Sequence, residues 1–123
     1  MTTTAFRARI LAILLVSACG SNEPTLTTNE ITASDAFTFA PSHITVAAGT
    51  TVRWTNAGSL MHTVTSGANA PDLAGAEFDA SLPPGQTFEH TFNAVGDHPF
   101  FCRPHAGMGM KGIVTVVPAE GSE

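Results

Sequence analysis

The chain has 123 residues, with ten acidic and five basic side chains and a formal net charge of −5. That length is room for one domain, and the acidic balance excludes the basic face that a nucleic-acid binder needs. The apolar run near the start, Ile10 to Val16, is too short to cross a bilayer.

The N-terminal stretch reads as an export signal. Arg7 and Arg9 precede the apolar run, and Ser17-Ala18-Cys19 follows it. A positive region, an apolar stretch and small residues before a cut site mark a secretory signal. Val16-Ser17-Ala18-Cys19 also resembles the bacterial lipobox, which implies cleavage before Cys19 and a diacylglycerol on its sulfur. The other reading is an ordinary signal peptide cut nearby. Residues 1–18 are thus expected to be a lipoprotein signal. Residues 19–29, rich in Ser, Asn, Thr, Pro and Glu, are expected to be the lipidated cysteine and a flexible tether. Removing the signal leaves three bases against ten acids, a net charge of −7. It also leaves Cys102 without a partner for an internal disulfide. An odd cysteine in an oxidising compartment needs an explanation, and metal ligation supplies one.

From residue 30 to 118 the chain shows no long helical period. It shows short strands broken by Gly and Pro: Ile31–Phe39, His43–Ala47, Thr50–Asn56, Met61–Ser66, Gln86–Phe92, Asp97–Cys102 and Ile113–Val117. In Thr50–Asn56, Val52 and Trp54 share one face and Arg53 and Thr55 the other. In Gln86–Phe92, Phe88 and Phe92 point inward, and His90 shares that face as a partly buried or strand-end residue. His43 alternates to the exposed face. Gly67 to Pro84, rich in Gly, Ala, Asp and Pro, is expected to be a loop holding at most one short strand or helical turn. The pattern predicts an all-β fold, a Greek-key β-sandwich of about seven to eight strands. Residues 119–123 form a tail.

The chemistry concentrates in Cys102-Arg103-Pro104-His105-Ala106-Gly107-Met108-Gly109-Met110, with His62 forty positions before Cys102. Alternation puts His98, Phe100 and Cys102 on the side of the Phe-rich core. Pro104 stops the strand from continuing as a regular ladder, and His105 follows Cys102 closely enough for a tight loop to aim both at one ion. Gly107 and Gly109 permit a bend that returns a Met. A His₂Cys set with a weak axial Met is the signature of blue copper electron transfer. Zinc favours Cys and His, but a structural zinc prefers four strong ligands and gains little from a thioether.

The pattern resembles the cupredoxins, in particular the plastocyanin-like small blue copper proteins. The resemblance rests on Ile44 to Trp54, Asn56, His62-Thr63-Val64, Phe101-Cys102-Arg103-Pro104-His105 and Met110-Lys111-Gly112. It implies one type 1 copper held in a plane by His62, Cys102 and His105, with an axial Met. Met110 is favoured over Met108, because the family follows its Met with one residue and then Gly. The resemblance also implies that the Thr63 N–H donates to the Cys102 sulfur, and that His105 is the solvent-facing ligand. Pro104 has no N–H to give, so a single N–H···S bond is expected. Asn56 is expected to support the site. Leu60, Met61 and Met108, with Pro104, are expected to form an apolar docking rim. Plastocyanins usually carry a Tyr before the ligand Cys, where this chain has Phe101. Arg103 either tunes the site and its partner choice or is a solvated side chain.

The function expected is a one-electron carrier, not an enzyme, lipid-anchored at a bacterial envelope and monomeric. Its partners are expected to be redox proteins such as a cytochrome, an oxidase or a reductase. A copper storage, delivery or resistance module is the alternative. A copper enzyme needs further ligands in His-x-His pairs or a His-Cys-His run, and neither occurs.

Overall fold

A computed structural model describes residues 29–68 and 74–120. The expected signal segment, Cys19 and nearly all of the tether lie outside the described residues, as do the last three residues. Nine strands follow one another: β1 Glu30–Ser34, β2 Thr38–Ala40, β3 His43–Ala47, β4 Thr50–Asn56, β5 His62–Ser66, β6 Asp79–Leu82, β7 Thr87–Phe92, β8 Gly96–Phe101 and β9 Lys111–Val117. They form a four-stranded sheet in the order β2-β1-β4-β7 and a five-stranded sheet in the order β3-β9-β8-β5-β6. The β1–β4 and β3–β9 pairs are parallel and the rest antiparallel. Period-2 alternation drives the strands together, as in β4, where Val52, Trp54 and Asn56 are buried and Arg53 is exposed.

The expected β-sandwich is present, with nine strands among the described residues where about seven to eight are expected. The predicted continuous strand Ile31–Phe39 is two strands. At Asp35-Ala36-Phe37 the chain turns, the Ser34 carbonyl accepts the Phe37 N–H at 3.1 Å, and β2 folds back on β1. Phe37 sits at φ 62°, a left-handed conformation rare for a bulky residue. The other added strand, β6, lies in the stretch read chiefly as a loop and pairs along the outer edge of β5.

Trp54 is fully buried at the centre of the core. The rings of Phe78, Phe88, Phe92 and Phe100 surround it at centroid distances of 5.3–6.2 Å. Burying each such ring stabilises the fold by about 1.5–3 kcal/mol over leaving it exposed. Gly112 follows from the same packing, since a Cβ there would collide with the Phe100 ring and the Ser42 carbonyl.

Strand direction positions the site. β5 and β8 run antiparallel, so His62 at the start of one meets Cys102 just past the end of the other. The β8–β9 register pairs Phe101 with Lys111, which brings Cys102 level with Met110.

A second cluster ties the two sheets together. The Glu77 carboxylate accepts from Nε2 of His90 on β7 at 3.1 Å and from Nδ1 of His98 on β8 at 3.0 Å. His98 Nε2 donates to the Ala94 carbonyl at 2.7 Å, so both of its ring nitrogens act as donors. Burial raises the Glu77 carboxyl, but the hydrogen bonds from His98 and His90 outweigh it and hold the group below its ordinary value. Burial lowers His98, but its bonds to Glu77 and the Ala94 carbonyl outweigh that and raise it. The sign of the linkage follows. Glu77 contributes stability that is present above its ordinary value of 4.5 and is lost as the pH falls. His98 contributes stability that is full below 6.5 and is lost as the pH rises through its folded value. Glu77→Gln is therefore expected to lower unfolding stability by up to about 1 kcal/mol between those limits, and by less at alkaline pH. Urea denaturation of both proteins across that range checks it; a cost that grows with alkalinity contradicts the charged clamp.

Candidate metal centre

Three side chains meet at the end of the sandwich. Cys102 and His62 are fully buried, and His105 is partly exposed. Nδ1 of His62 lies 3.2 Å from Nδ1 of His105, and the Cys102 sulfur lies 3.7 and 3.4 Å from those two nitrogens. These spacings suit one ion held at about 2.0–2.3 Å, the bond lengths of imidazole nitrogen and thiolate to zinc. One thiol and two imidazoles converge with their electron pairs toward a common point, which is the donor set of a type 1 copper site.

Each donor is placed by its own local structure. Asn56, buried at the end of β4, donates from Nδ2 to the Leu60 carbonyl at 2.7 Å and to the Leu82 carbonyl at 2.8 Å. Its Oδ1 accepts the Gly58 N–H at 2.8 Å. One amide thus shapes the whole loop that delivers His62. Beyond Cys102 the chain tightens into a one-turn 3-10 helix, Ala106–Met108, closed by Gly109 at φ 81°. The Cys102 N–H donates to the Met110 carbonyl at 3.0 Å, and the His105 carbonyl accepts from Met108 and Met110 at 2.9 and 3.4 Å. Met110 is fully buried, whereas Met108 is 63% exposed. Leu60 and Met61 are also exposed on this end of the molecule.

The sulfur accepts the Thr63 N–H at 3.4 Å. Among the described residues no second backbone N–H donates to it. Pro104 is exposed and belongs to the turn that carries His105. Burial and the neighbouring His105 lower the His62 imidazole below its ordinary value against the opposing pull of Asp35, and the net lowering favours the neutral ring that can ligate.

Arg103 is not a free solvated side chain. Its Nε and Nη2 reach the Asp79 carboxylate at 3.1 and 2.8 Å, and its backbone N–H donates to Thr63 Oγ1 at 2.9 Å. Thr63 Oγ1 pairs with Thr65 Oγ1 at 3.0 Å, and Thr65 donates to Asp79 at 2.9 Å. The ring closes on itself and fastens the residue after Cys102 to the strand that carries His62. The Arg103 guanidinium holds the Asp79 carboxyl below the usual range.

Several residues at the site were not predicted. Phe37 packs its ring on His105 at 4.7 Å, and Asp35 lies 3.7 Å from His62 Nε2. Both sit in the turn hidden inside the predicted first strand. Ile31, Ala33, Phe37 and Phe39 keep a strand's spacing across that turn, so the pattern carries no signal for it. Asp79 and Thr65 fall on the β5–β6 pair, whose second strand lies in the stretch expected to be mainly loop. The other histidines stand apart from the three donors: His43 bonds Thr115 at 2.8 Å, and His90 and His98 hold Glu77.

A two-sheet β-sandwich that gathers a buried Cys and two His at one end is a cupredoxin. The chain belongs to the plastocyanin/azurin family of copper binding proteins, whose pattern matches residues 26–117. It is 38% identical over 90 residues to plastocyanin of Scenedesmus fuscus, covering 68% of this chain and 90% of the relative. It is 38% identical over 85 residues to plastocyanin A/B of Petroselinum crispum, covering 63% of this chain and 86% of the relative. Among solved structures it resembles a purple cupredoxin from Nitrosopumilus maritimus, with TM-score 0.63 and 27% identity over 72% of this chain and 98% of that one. Oxidised plastocyanin of Dryopteris crassirhizoma superposes with TM-score 0.58 and 29% identity, over 72% of this chain and 99% of that one. Family and site together make this a blue copper electron-transfer protein.

Copper that binds only the folded chain stabilises it by about 2.7 kcal/mol when free metal is 100 times Kd. Calorimetry is expected to show that rise in the wild type. Cys102→Ser is expected to lose most of it, together with the visible copper–thiolate absorption. Equal stabilisation of the two proteins by copper places the metal elsewhere.

Proposed function

We propose that the protein is a one-electron carrier held at a bacterial envelope by a lipid on Cys19, passing electrons between two redox proteins. In this reading His62, Cys102 and His105 would hold the copper, with the buried Met110 thioether as a fourth, weaker donor. Copper bound there supplies a Cu(I)/Cu(II) couple. The observation that carries the reading is the set of three donor atoms, 3.2–3.7 Å apart, with Cys102 and His62 fully buried. Such a cage favours redox use over release, because giving up the ion would leave a buried sulfur and imidazole to be resolvated.

The residues divide the work. Thr63 N–H takes up part of the sulfur's negative charge and so tunes the couple. The Asn56 amide and the Arg103–Asp79 ring fix the ligand positions, so that the two oxidation states share one geometry and little energy goes into rearrangement. His105 is the one partly exposed ligand, which makes its edge the route for electrons. Leu60, Met61 and Met108, all exposed, form an apolar rim on which a partner docks briefly. The acidic chain, at a net −7 after signal removal, is steered toward a basic partner. A cytochrome, an oxidase or a reductase meets these requirements.

Voltammetry of the copper-loaded protein is expected to give a reversible one-electron wave. Met110→Leu keeps the side-chain volume and removes a donor that the doubly charged ion needs more than the singly charged one. It is expected to raise the potential by about 59 mV or more, a tenfold change in oxidation-state preference, while Met108→Leu leaves it in place. The reverse ranking makes Met108 the axial ligand. Copper that passes readily to a chelator, with no reversible wave, supports storage or delivery instead.

The anchor has its own test. Expressed in a bacterium, the wild-type chain is expected in the membrane fraction and Cys19→Ser in the soluble fraction. Equal partitioning of the two excludes the lipid.

A further inference from the structure

We propose that Asp35 is a positioning residue of the copper centre, whose carboxylate backs His62 from outside and favours the more highly charged oxidation state of the bound metal. The inference rests on copper binding at His62, Cys102 and His105. Nδ1 of His62 faces Cys102 and His105. When Nδ1 offers its electron pair to a metal, the ring proton belongs on Nε2. That Nε2 is buried and has no hydrogen-bond partner. A ligand histidine ordinarily gives this proton to a carboxylate, a carbonyl or a water. Here Oδ1 of Asp35 stands 3.7 Å away, too far for a formed hydrogen bond but close enough for a direct charge interaction.

The carboxylate is built into its position. It accepts the Ser59 N–H at 2.8 Å, the Leu60 N–H at 3.1 Å and the Ser59 hydroxyl at 2.9 Å. Gly58 leaves room for it, since a Cβ at that position would overlap the Asp35 side chain. The turn that presents Asp35 holds Phe37 at φ 62°, and the Phe37 ring lies on His105 at 4.7 Å. One turn therefore reaches both imidazoles. Backbone in a disfavoured region that serves ligand residues is a mark of a functional constraint.

A fixed negative charge beside a ligand imidazole stabilises the doubly charged metal more than the singly charged one, so Asp35 lowers the reduction potential. Removing a hydrogen-bonded partner of a ligand histidine typically changes metal affinity about 10–100-fold, and the Asp35 charge, at 3.7 Å without a formed bond, is placed at the low end of that range. Asp35→Asn keeps the size and acceptor oxygen of the side chain and removes its charge. It is expected to weaken Cu(II) binding about tenfold relative to Cu(I), a rise in potential of about 59 mV. Ser59→Ala removes one bond to Asp35 and leaves the charge. It is expected to lower the unfolding temperature while the potential stays in place. An unchanged potential in Asp35→Asn, or an equal rise in Ser59→Ala, overturns the proposal. Nitrogen-15 NMR of the copper-free protein reads the contact separately. His62 is expected to carry its ring proton on Nε2, and that proton is expected to exchange faster in Asp35→Asn. A wild-type Nε2 without a proton overturns the proposal even where copper binds. A wild type that takes up no copper removes the copper reading, and the copper-free spectrum still decides the Asp35–His62 contact.

Discussion

Three electron-pair donors held within 3.7 Å of one another are the constraint on which this structure turns. Brought together without an ion, two imidazoles and a sulfur mostly oppose their own lone pairs, and two of the three residues have also been taken out of water. The chain holds them there because each is fastened to a different part of the sandwich. His62 opens β5, Cys102 ends the β8 run, and His105 rides a loop tied by backbone bonds between Cys102 and Met110. The Thr63 N–H to the Cys102 sulfur crosses between two of these parts. It ties the sulfur to the residue next to the first histidine. Moving any one donor means breaking strand pairing or loop closure elsewhere.

The core is built to hold that end still. Trp54 stands in a ring of phenylalanines, and Phe100, which packs edge-on against it at 5.3 Å, lies two residues before the cysteine. Gly112 lets β9 close on Phe100, and the β8–β9 register then sets Met110 level with Cys102. A glycine chosen for ring packing thereby fixes the position of a thioether. The sheets also face each other at Glu77, whose carboxylate spans from β7 to β8 well along the strands from the donors. Aromatic packing and this polar clamp resist the same sliding motion of one sheet over the other.

What could be read from the residues was what leaves a periodic or a chemical trace. The β4 alternation of Val52 and Trp54, the Phe-rich β7 and the run from Cys102 to Met110 all announce themselves. So do the sandwich and the grouping of His62 with Cys102 and His105. The turn at Asp35 to Phe37 does not, because Ile31 and Ala33 before it and Phe37 and Phe39 after it keep one odd-numbered strand spacing. A one-residue strain at Phe37 has no signature in composition. β6 was obscured for a different reason: Asp79 to Leu82 is an edge strand with only Leu82 fully buried, so its alternation is faint. Of the residues missed at the site, Asp35, Phe37 and Asp79 sit on these two elements, and Thr65 on β5 faces Asp79 across the β5–β6 pair. Long-range partners of a ligand are set by topology, and topology is where single-sequence patterns carry least.

The supports of the two histidines are unequal, and the inequality has a physical direction. His62 is enclosed. Its loop is shaped by the Asn56 amide, its neighbour Thr63 is locked into the ring with Arg103 and Asp79, and a carboxylate stands behind its outer nitrogen. His105 has the tilted ring contact of Phe37 and the hydrogen bonds of its own loop, and it keeps part of its surface open. A site enclosed on all sides would hold its ions equally well and exchange electrons with nothing. A site open on both imidazoles would admit water and lose its fixed geometry. By placing nearly every polar support on the side of His62, the fold confines solvent contact to one edge. The rigidity is concentrated at the buried histidine rather than at the exposed one. The apolar side chains Leu60, Met61 and Met108 are exposed on that open end, and none of them is needed to hold the donors in place.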